Sequence, residues 1–212
     1  MKSTQGIFVS AATLTLIAAI CTALVAATYQ LTTSRISANQ QAFLEQSLEP
    51  ALSGVSYDGS ITASKLIIPA PHELPGSDAA VVYRAYAEGR PAAALFVVTA
   101  RDGYSGPIRL LIGIRADGVV TAVRVLEHRE TPGLGDRIEL SRSDWVKQFD
   151  GRSMIDPNFG GWAIKRDGGE FDQLTGASVT PRAVIKAISE TLVYFDAHRD
   201  ELFSLPASGE GQ

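Results

Sequence analysis

The chain has 212 residues, which is enough for one globular domain with a sizeable core plus extensions. Its 19 Lys and Arg residues against 23 Asp and Glu residues give a formal net charge of −4, and the absence of a basic run argues against a nucleic acid as partner. The single cysteine permits no intrachain disulfide.

The first predicted element is a transmembrane helix at residues 6–29. This stretch carries no charged residue and is long enough to cross a hydrocarbon core about 30 Å thick, so the lipid bilayer is a predicted partner. A cleaved signal peptide is the alternative, because residues 23–27 offer a small-x-small site, although the apolar part of a signal peptide is shorter. Lys2 and Arg35 flank the span and specify its orientation only weakly, with residues 1–5 predicted to be a short cytoplasmic terminus.

Residues 30–78 are predicted to form a stalk helix and a linker. After the span, a pattern of near-helical spacing continues and ends at Pro50. The residues that form this pattern are Ile36, Gln40, Phe43, Leu44, Ser47 and Leu48. The following stretch, residues 53–78, mixes Gly, Ser and Pro with an apolar patch at residues 66–68. It predicts one or two strands within a linker.

A β-like pattern begins at residue 79 and predicts a meandering antiparallel sheet. The predicted strands are residues 81–86, 94–99, 108–115 and 119–126. Residues 89–91 are predicted to turn between the first two strands. Asp117 and Gly118 form a favoured tight turn between the last two, which makes this the clearest hairpin of the chain.

Helices are predicted to flank this sheet. Ser141 or Ser143 is expected to cap a short helix through Trp145 and Phe149. The predicted fold class is therefore α+β, with one N-terminal transmembrane helix followed by a single domain of antiparallel sheet and flanking helices. That domain is placed at residues 79–200, and a C-terminal tail at residues 201–212.

Residues 172–180 are the most informative stretch of the chain. They read Asp-Gln-Leu-Thr-Gly-Ala-Ser-Val-Thr and are followed at once by Pro181 and a helical pattern. Because proline suits the first helical position, Thr180 is the predicted N-cap. Gly176 leaves the backbone uncovered just before the positive end of the helix dipole, which favours a phosphate there, and Arg182 could add a cation. An isolated Thr-Pro pair would indicate only an ordinary capped helix.

Two further motifs precede this stretch. Residues 130–135 read Glu-Thr-Pro-Gly-Leu-Gly and directly follow the last predicted strand, where a turn leaves backbone accessible at the end of a rigid element. By themselves they indicate a surface turn. Residues 102–106 read Asp-Gly-Tyr-Ser-Gly and lie before the hairpin.

Together, the three motifs in this order resemble the FMN-binding domain family, which is found in the G subunit of the Rnf electron transport complex and in the C subunit of the sodium-pumping NADH:quinone reductase. The resemblance covers about residues 81–195 and the N-terminal span. It implies FMN esterified through its phosphate to Thr180, with Ser178 as the alternative ester site. The other cofactor-binding residues that it implies are Thr175, Gly176, Ala177, Ser178, Val179, Glu130, Thr131, Pro132, Gly133, Leu134, Gly135 and Tyr104.

The roles of three side chains near the implied flavin stay open. His128 either donates a hydrogen bond to the flavin or is solvated. Glu130 either accepts from a flavin N–H or is a solvated carboxylate at the end of a strand. Tyr104 is expected to be a rim aromatic without a chemical role.

The function implied by the resemblance is electron transfer, coupled to ion translocation, in an Rnf-type complex of the bacterial inner membrane, with the FMN domain on the periplasmic side. Its implied partners are the other membrane subunits and a flavin transferase, since a threonine hydroxyl is a poor nucleophile without a base. No catalytic residue, metal site or independent substrate turnover is expected, because dinucleotide, Walker and Cys-x-x-Cys motifs are missing. The alternatives are the C subunit of the sodium-pumping reductase, a flavin-free assembly subunit, and a membrane-tethered regulator whose FMN domain senses redox state.

Overall fold

The computed structural model describes the backbone of residues 2–205 and the side chains of residues 11–205. The helices are α1 (Lys2–Ala51) and α2 (Val179–Ser204), and the strands are β1 (Lys65–Ile68), β2 (Ala80–Ala87), β3 (Arg90–Ala100), β4 (Ile108–Arg115) and β5 (Val120–Glu127). Short 3₁₀ helices lie at Ile61–Ser64, Gly135–Ile138, Asp144–Phe149, Phe159–Gly161 and Lys165–Asp167. The chain divides between Phe43 and Leu44 into two units.

Helix α1 is a single element of 50 residues. Within the described part of the chain it is the one helix long and apolar enough to cross a membrane. Its large apolar side chains between Leu14 and Leu31 are exposed, as expected where lipid is the solvent. The helix includes Pro50 and ends one residue later. The predicted span starts at residue 6, among residues whose side chains lie outside the described part.

The five strands form one antiparallel meander in the order β1-β2-β3-β4-β5. Successive residues of β3 point to opposite faces of the sheet, so that Phe96 and Val98 join one apolar cluster while Leu95 and Val97 join another. Both faces are covered, and the central strands are therefore buried along most of their length. The α+β prediction with an antiparallel sheet is confirmed.

Different elements cover the two faces. Helix α2 and the loops after β5 cover the first, where the ring of Phe195 meets that of Phe96 edge-on at 6.1 Å between centroids. Residues 44–52 cover the second. A Cβ added to Gly113 of β4 would lie 2.7 Å from the backbone carbonyl oxygen of Ala51, and only glycine permits that approach. The hydroxyl of Thr121 donates to the same carbonyl at 2.5 Å.

The compact unit begins at Leu44, well before the predicted domain start at residue 79. The predicted linker contributes β1, which pairs with β2 and forms an edge of the sheet. Pairing with β2 buries Leu66. The apolar patch at residues 66–68 predicted a strand, but not that this strand belongs to the domain, because its place in the sheet depends on a distant partner.

The predicted tail at residues 201–212 begins too early, since α2 continues to Ser204. Leu202 is buried, and the buried guanidinium of Arg84 donates to its carbonyl oxygen at 2.9 Å and to that of Leu205. A cation at the carbonyl end of a helix stabilises the last turn through hydrogen bonds and the helix dipole. Residues 206–212 of the tail lie outside the described residues.

Candidate functional site

A cavity of about 400 Å³ lies where the start of α2 meets the loops before β4 and after β5. Its volume falls in the range of small-molecule sites. The cavity is lined by Tyr104, Glu130, Thr131, Leu134, Gly135, Gly176, Ala177, Ser178, Val179 and Thr180. Every one of these residues comes from the three motifs singled out in the sequence. Thr175, Pro132 and Gly133 are exposed on the same loops and are not among the lining residues.

Thr180 lies inside the first turn of α2, so its predicted position as N-cap was wrong. The helix begins at Val179, and the residue at the cap position is Ser178, whose side chain makes no capping hydrogen bond. Pro181 is consequently the third helical residue instead of the first. Proline is tolerated there because the N–H groups of a first turn have no partner within the helix, so a missing N–H costs no helical bond.

The hydroxyl of Thr180 is held by a carboxylate from a different loop. Thr180 is completely buried, and its Oγ1 donates to Oε2 of Glu130 at 2.5 Å. Glu130 is only 4% exposed, and its other oxygen, Oε1, accepts the backbone N–H of Ser105 at 3.0 Å. Glu130 is therefore not a solvated carboxylate at the end of a strand. One side chain connects all three motifs.

Two glycines let the loops close around this carboxylate. A Cβ added to Gly135 would lie 2.8 Å from Oε2 of Glu130 and 3.1 Å from Oγ1 of Thr180. A Cβ added to Gly103 would lie 2.9 Å from Oε1 of Glu130 and 2.2 Å from the carbonyl oxygen of Gly106. These distances are shorter than ordinary van der Waals contacts of a carbon atom. Neither position therefore accepts a side chain unless the neighbouring atoms are displaced.

His128 holds the backbone of Glu130 in place. Its Nδ1 accepts the Glu130 N–H at 2.9 Å, which assigns the proton of the neutral ring to Nε2, and Nε2 lies 2.6 Å from Oε1 of Glu139. Partial burial raises the pKa of Glu139, but hydrogen bonds from His128 and Ser141 outweigh it and lower that pKa overall. Both ring nitrogens are thus engaged within the protein.

The loop that carries residues 172–180 is anchored at its first residue. The backbone carbonyl of Asp172 accepts from the indole N–H of Trp145 at 2.6 Å, and its N–H donates to Oε1 of Gln148 at 2.7 Å. Both side chains lie in the 3₁₀ helix Asp144–Phe149, whose cap is Ser143, one of the two serines that were predicted for it. Their role at the site could not be found from sequence, since it depends on a contact across more than 20 residues.

Arg182 does not face the cavity as a free cation. Its guanidinium makes two hydrogen bonds to the carboxylate of Asp167, at 2.6 and 2.9 Å. The hydrogen bonds that Arg182 donates to Asp167 raise the pKa of Arg182 and lower the pKa of Asp167. The sequence-based suggestion that Arg182 would assist a phosphate is therefore not supported by this arrangement.

The rim of the cavity is apolar and open. Tyr104 is 72% exposed, while Leu134 and Val179 are each more than 40% exposed. Gly176 has a φ of +84° and lies in a turn closed by the N–H of Ala177 on the carbonyl of Leu174. This turn leads directly into helix α2, and Tyr104 lines the cavity with most of its side chain exposed.

Comparison with known proteins assigns the family. Residues 103–193 match the model of the FMN-binding domain, and residues 1–50 match the model of the RnfG N-terminal region. The chain is 46% identical over 190 residues to the G subunit of the ion-translocating oxidoreductase complex of Pseudomonas aeruginosa strain UCBPP-PA14, covering 89% of this chain and 88% of that protein. The chain belongs to this G-subunit family.

Other members of the G-subunit family have similar identities to this chain. The protein of the same name from Escherichia coli O157:H7 is 44% identical over 200 residues, which is 93% of this chain and 95% of that protein. The one from Shewanella oneidensis is 41% identical over 199 residues, or 94% of each chain. These names favour the Rnf type over the sodium-pumping NADH:quinone reductase.

The cavity residues fit the FMN that this domain family is named for. The N–H groups at the start of α2 and the positive end of its dipole suit a phosphate, and Gly176 leaves room beside them. Leu134, Ala177 and Val179 offer apolar surface to a ring. Among the ten lining residues the one charged side chain is Glu130, which is already hydrogen-bonded within the protein.

Proposed function

We propose that this chain is the electron-carrying subunit of an Rnf-type ion-translocating electron transport complex and that it works through FMN held in the cavity at the start of α2. The observation that carries the proposal is the meeting of all three sequence motifs in that cavity, with Thr180 in its wall. Membership of the G-subunit family supports a place among the other membrane subunits of such a complex. Bound FMN supplies a carrier that can take up and release electrons singly or in pairs.

Different residues of the cavity would bind different parts of FMN. The first turn of α2 would bind the phosphate, while Leu134 and Val179 would pack against the ring and exclude water from it. The exposed rim at Tyr104 would leave an edge of the ring open towards a partner. No soluble substrate is required, because the partner subunits would deliver and remove the electrons.

The proposal includes a phosphoester between FMN and Thr180. Support comes from the environment of the two candidate hydroxyls, since that of Thr180 has a carboxylate as acceptor at 2.5 Å and that of Ser178 makes no capping hydrogen bond. A separate flavin transferase would form the bond from FAD. Because Thr180 is completely buried, we expect the exposed loop at residues 131–134 to move aside during that reaction.

The chain fits a single-pass membrane protein, because α1 presents exposed apolar side chains over a stretch long enough to cross a bilayer. We propose that it lies in the bacterial inner membrane with its N-terminus inside and its FMN domain on the periplasmic side. Lys2 before the span gives this orientation weak support under the positive-inside rule. The relatives are bacterial proteins.

The test is a denaturing gel of the full chain purified from its native host, viewed under ultraviolet light and followed by peptide mass spectrometry. We expect a fluorescent band and an FMN-sized mass on the peptide that contains Thr180. Thr180→Val keeps the shape of the side chain and removes the hydroxyl, so its band should be dark, whereas the matched Ser178→Ala should stay fluorescent. A dark wild-type band from cells that contain the transferase would overturn the covalent flavin and favour the assembly subunit.

A further inference from the structure

We propose that Glu130 is the general base for flavin attachment, accepting the proton that Thr180 loses as its hydroxyl becomes an ester oxygen. The inference rests on the proposed attachment at Thr180. It starts from one contact: Oε2 of the buried Glu130 already accepts the hydrogen of Thr180 Oγ1 at 2.5 Å. A base must lie within hydrogen-bond reach of the proton that it removes, and this carboxylate does.

A second threonine of the same helix shows that burial alone does not require a carboxylate. Thr191 is also completely buried, and its hydroxyl donates to the carbonyl of Ala187, one helical turn earlier, at 2.7 Å. Thr180 lies in the first turn, where its acceptor comes from a loop 50 residues away in sequence. A backbone carbonyl satisfies a hydroxyl but cannot take up its proton at neutral pH, whereas a carboxylate can.

The carboxylate of Glu130 is a costly group to bury for packing alone. Within the described residues it forms no salt bridge, and its hydrogen-bond partners are one hydroxyl and one backbone N–H. An ionised carboxylate without a cation loses much of its hydration free energy on burial. Two hydrogen bonds nevertheless fix the orientation of Glu130. The N–H of Ser105 donates to its Oε1, and its own backbone N–H donates to His128. Such close positioning of one oxygen atom is expected of a group that reacts.

The reaction that this geometry serves is a phosphoryl-type transfer without oxidation or reduction. Oγ1 of Thr180 forms a bond to the FMN phosphorus of FAD, and the diphosphate P–O bond breaks so that AMP leaves. The proton of Oγ1 passes to Oε2 of Glu130 and later to solvent. Among the described residues, Glu130 is the one side chain hydrogen-bonded to this hydroxyl, and His128 is directed at Glu139 and at the backbone of Glu130.

The experiment measures how fast the full chain acquires flavin. The protein is produced in detergent from cells that lack the transferase, then incubated with purified flavin transferase and saturating FAD, and in-gel fluorescence is followed with time. We expect Glu130→Gln to lower the maximal rate by about 100-fold or more, as loss of a general base does. The apparent KM for the acceptor protein should change little. Glu201→Gln, which removes an exposed carboxylate near the end of α2, should match the wild type.

A chemical rescue separates proton transfer from mere positioning. Glu130→Ala leaves space beside Thr180, and added formate should restore its rate in proportion to the formate concentration, while added formamide, a neutral molecule of similar shape, should not. Equal rescue by the two compounds would assign Glu130 a positioning role only and overturn the proposal. Tryptophan fluorescence and thermal unfolding check that each variant folds; if Glu130→Gln does not, Glu130→Ala and its rescue by formate carry the test.

The remaining outcomes distinguish this inference from the function on which it rests. If the wild type gains flavin on Thr180 and Glu130→Gln does so at the same rate, the general base is refuted and the covalent flavoprotein stands. If the wild type gains no flavin, or gains it on Ser178, the attachment at Thr180 fails and the role of Glu130 fails with it.

Discussion

Gly135 packs closely against both Glu130 and Thr180, and this packing yields a stability prediction. Gly135→Ala would place a Cβ at 2.8 Å from Oε2 and 2.9 Å from Cβ of Glu130, and at 3.1 Å from Oγ1 of Thr180. Carbon contacts prefer 3.5–4.0 Å, so several tenths of an ångström must be gained by movement. The φ of Gly135 is not positive, and the backbone itself therefore accepts alanine.

Two contributions set the expected loss of unfolding free energy in Gly135→Ala. Overpacking a close-packed site costs about 1–3 kcal/mol. If Glu130 is pushed from Thr180, a buried carboxylate loses one of its two hydrogen bonds, which costs about 1–3 kcal/mol more. We therefore expect Gly135→Ala to lower the free energy of unfolding by about 2–6 kcal/mol, a large part of the roughly 5–15 kcal/mol that a domain has.

Urea unfolding of the full chain in detergent, without flavin, measures this loss. Both tryptophans of the chain, Trp145 and Trp162, lie in the first apolar cluster and report on the domain by fluorescence. The matched control is Gly160→Ala, because the nearest atom to its added Cβ is Oδ1 of Asn158 at 3.4 Å, and its effect should stay within about 0.5 kcal/mol. If the two variants unfold at the same urea concentration, the close approach around Glu130 is refuted.

Two further predictions concern the helix end and the support of the site. Arg84→Met keeps the apolar stem but removes the donors to Leu202 and Leu205, so the same titration should show a loss of about 2–3 kcal/mol, and an unchanged midpoint would refute the role of Arg84. Partial burial raises the pKa of Glu139, but the hydrogen bonds from His128 and Ser141 prevail and lower it. The resulting stabilisation is complete above the unfolded-state pKa and is lost as pH falls through the folded-state pKa. Glu139→Gln should therefore flatten the acid side of the plot of unfolding free energy against pH, and a wild-type slope in that variant would contradict the assignment.

The two strands of the hairpin around Asp117 and Gly118 could be placed from sequence almost to the residue. Residues 108–115 were predicted as a strand and are β4, while β5 is shifted by one residue from its prediction. Their apolar pattern and the Asp117-Gly118 turn agree with each other, so local and tertiary preferences coincide. The structure also places a turn at Glu88 and Gly89, where both φ angles are positive, one residue earlier than expected.

The motifs predicted which loops would meet, but not how their side chains interact. The cavity contains ten of the thirteen residues that the resemblance implied. The contact of Glu130 with Thr180 depends on the approach of two segments 50 residues apart, for which no local pattern exists. The start of α2 was misplaced for a local reason, because proline is compatible with any position of the first turn and does not mark the first residue.

The open rim of the cavity explains why a covalent bond would suit this carrier. Electron transfer to a partner requires the ring to reach the surface, and the exposed Tyr104, Leu134 and Val179 leave it that route. A site that stays open buries less ligand surface and therefore binds a free cofactor less tightly. The proposed ester to Thr180 would make retention independent of that affinity, so the cavity could remain open without losing the flavin. On this proposal the buried Glu130–Thr180 contact would be the place of attachment, and the exposed rim would be the place where electrons are exchanged.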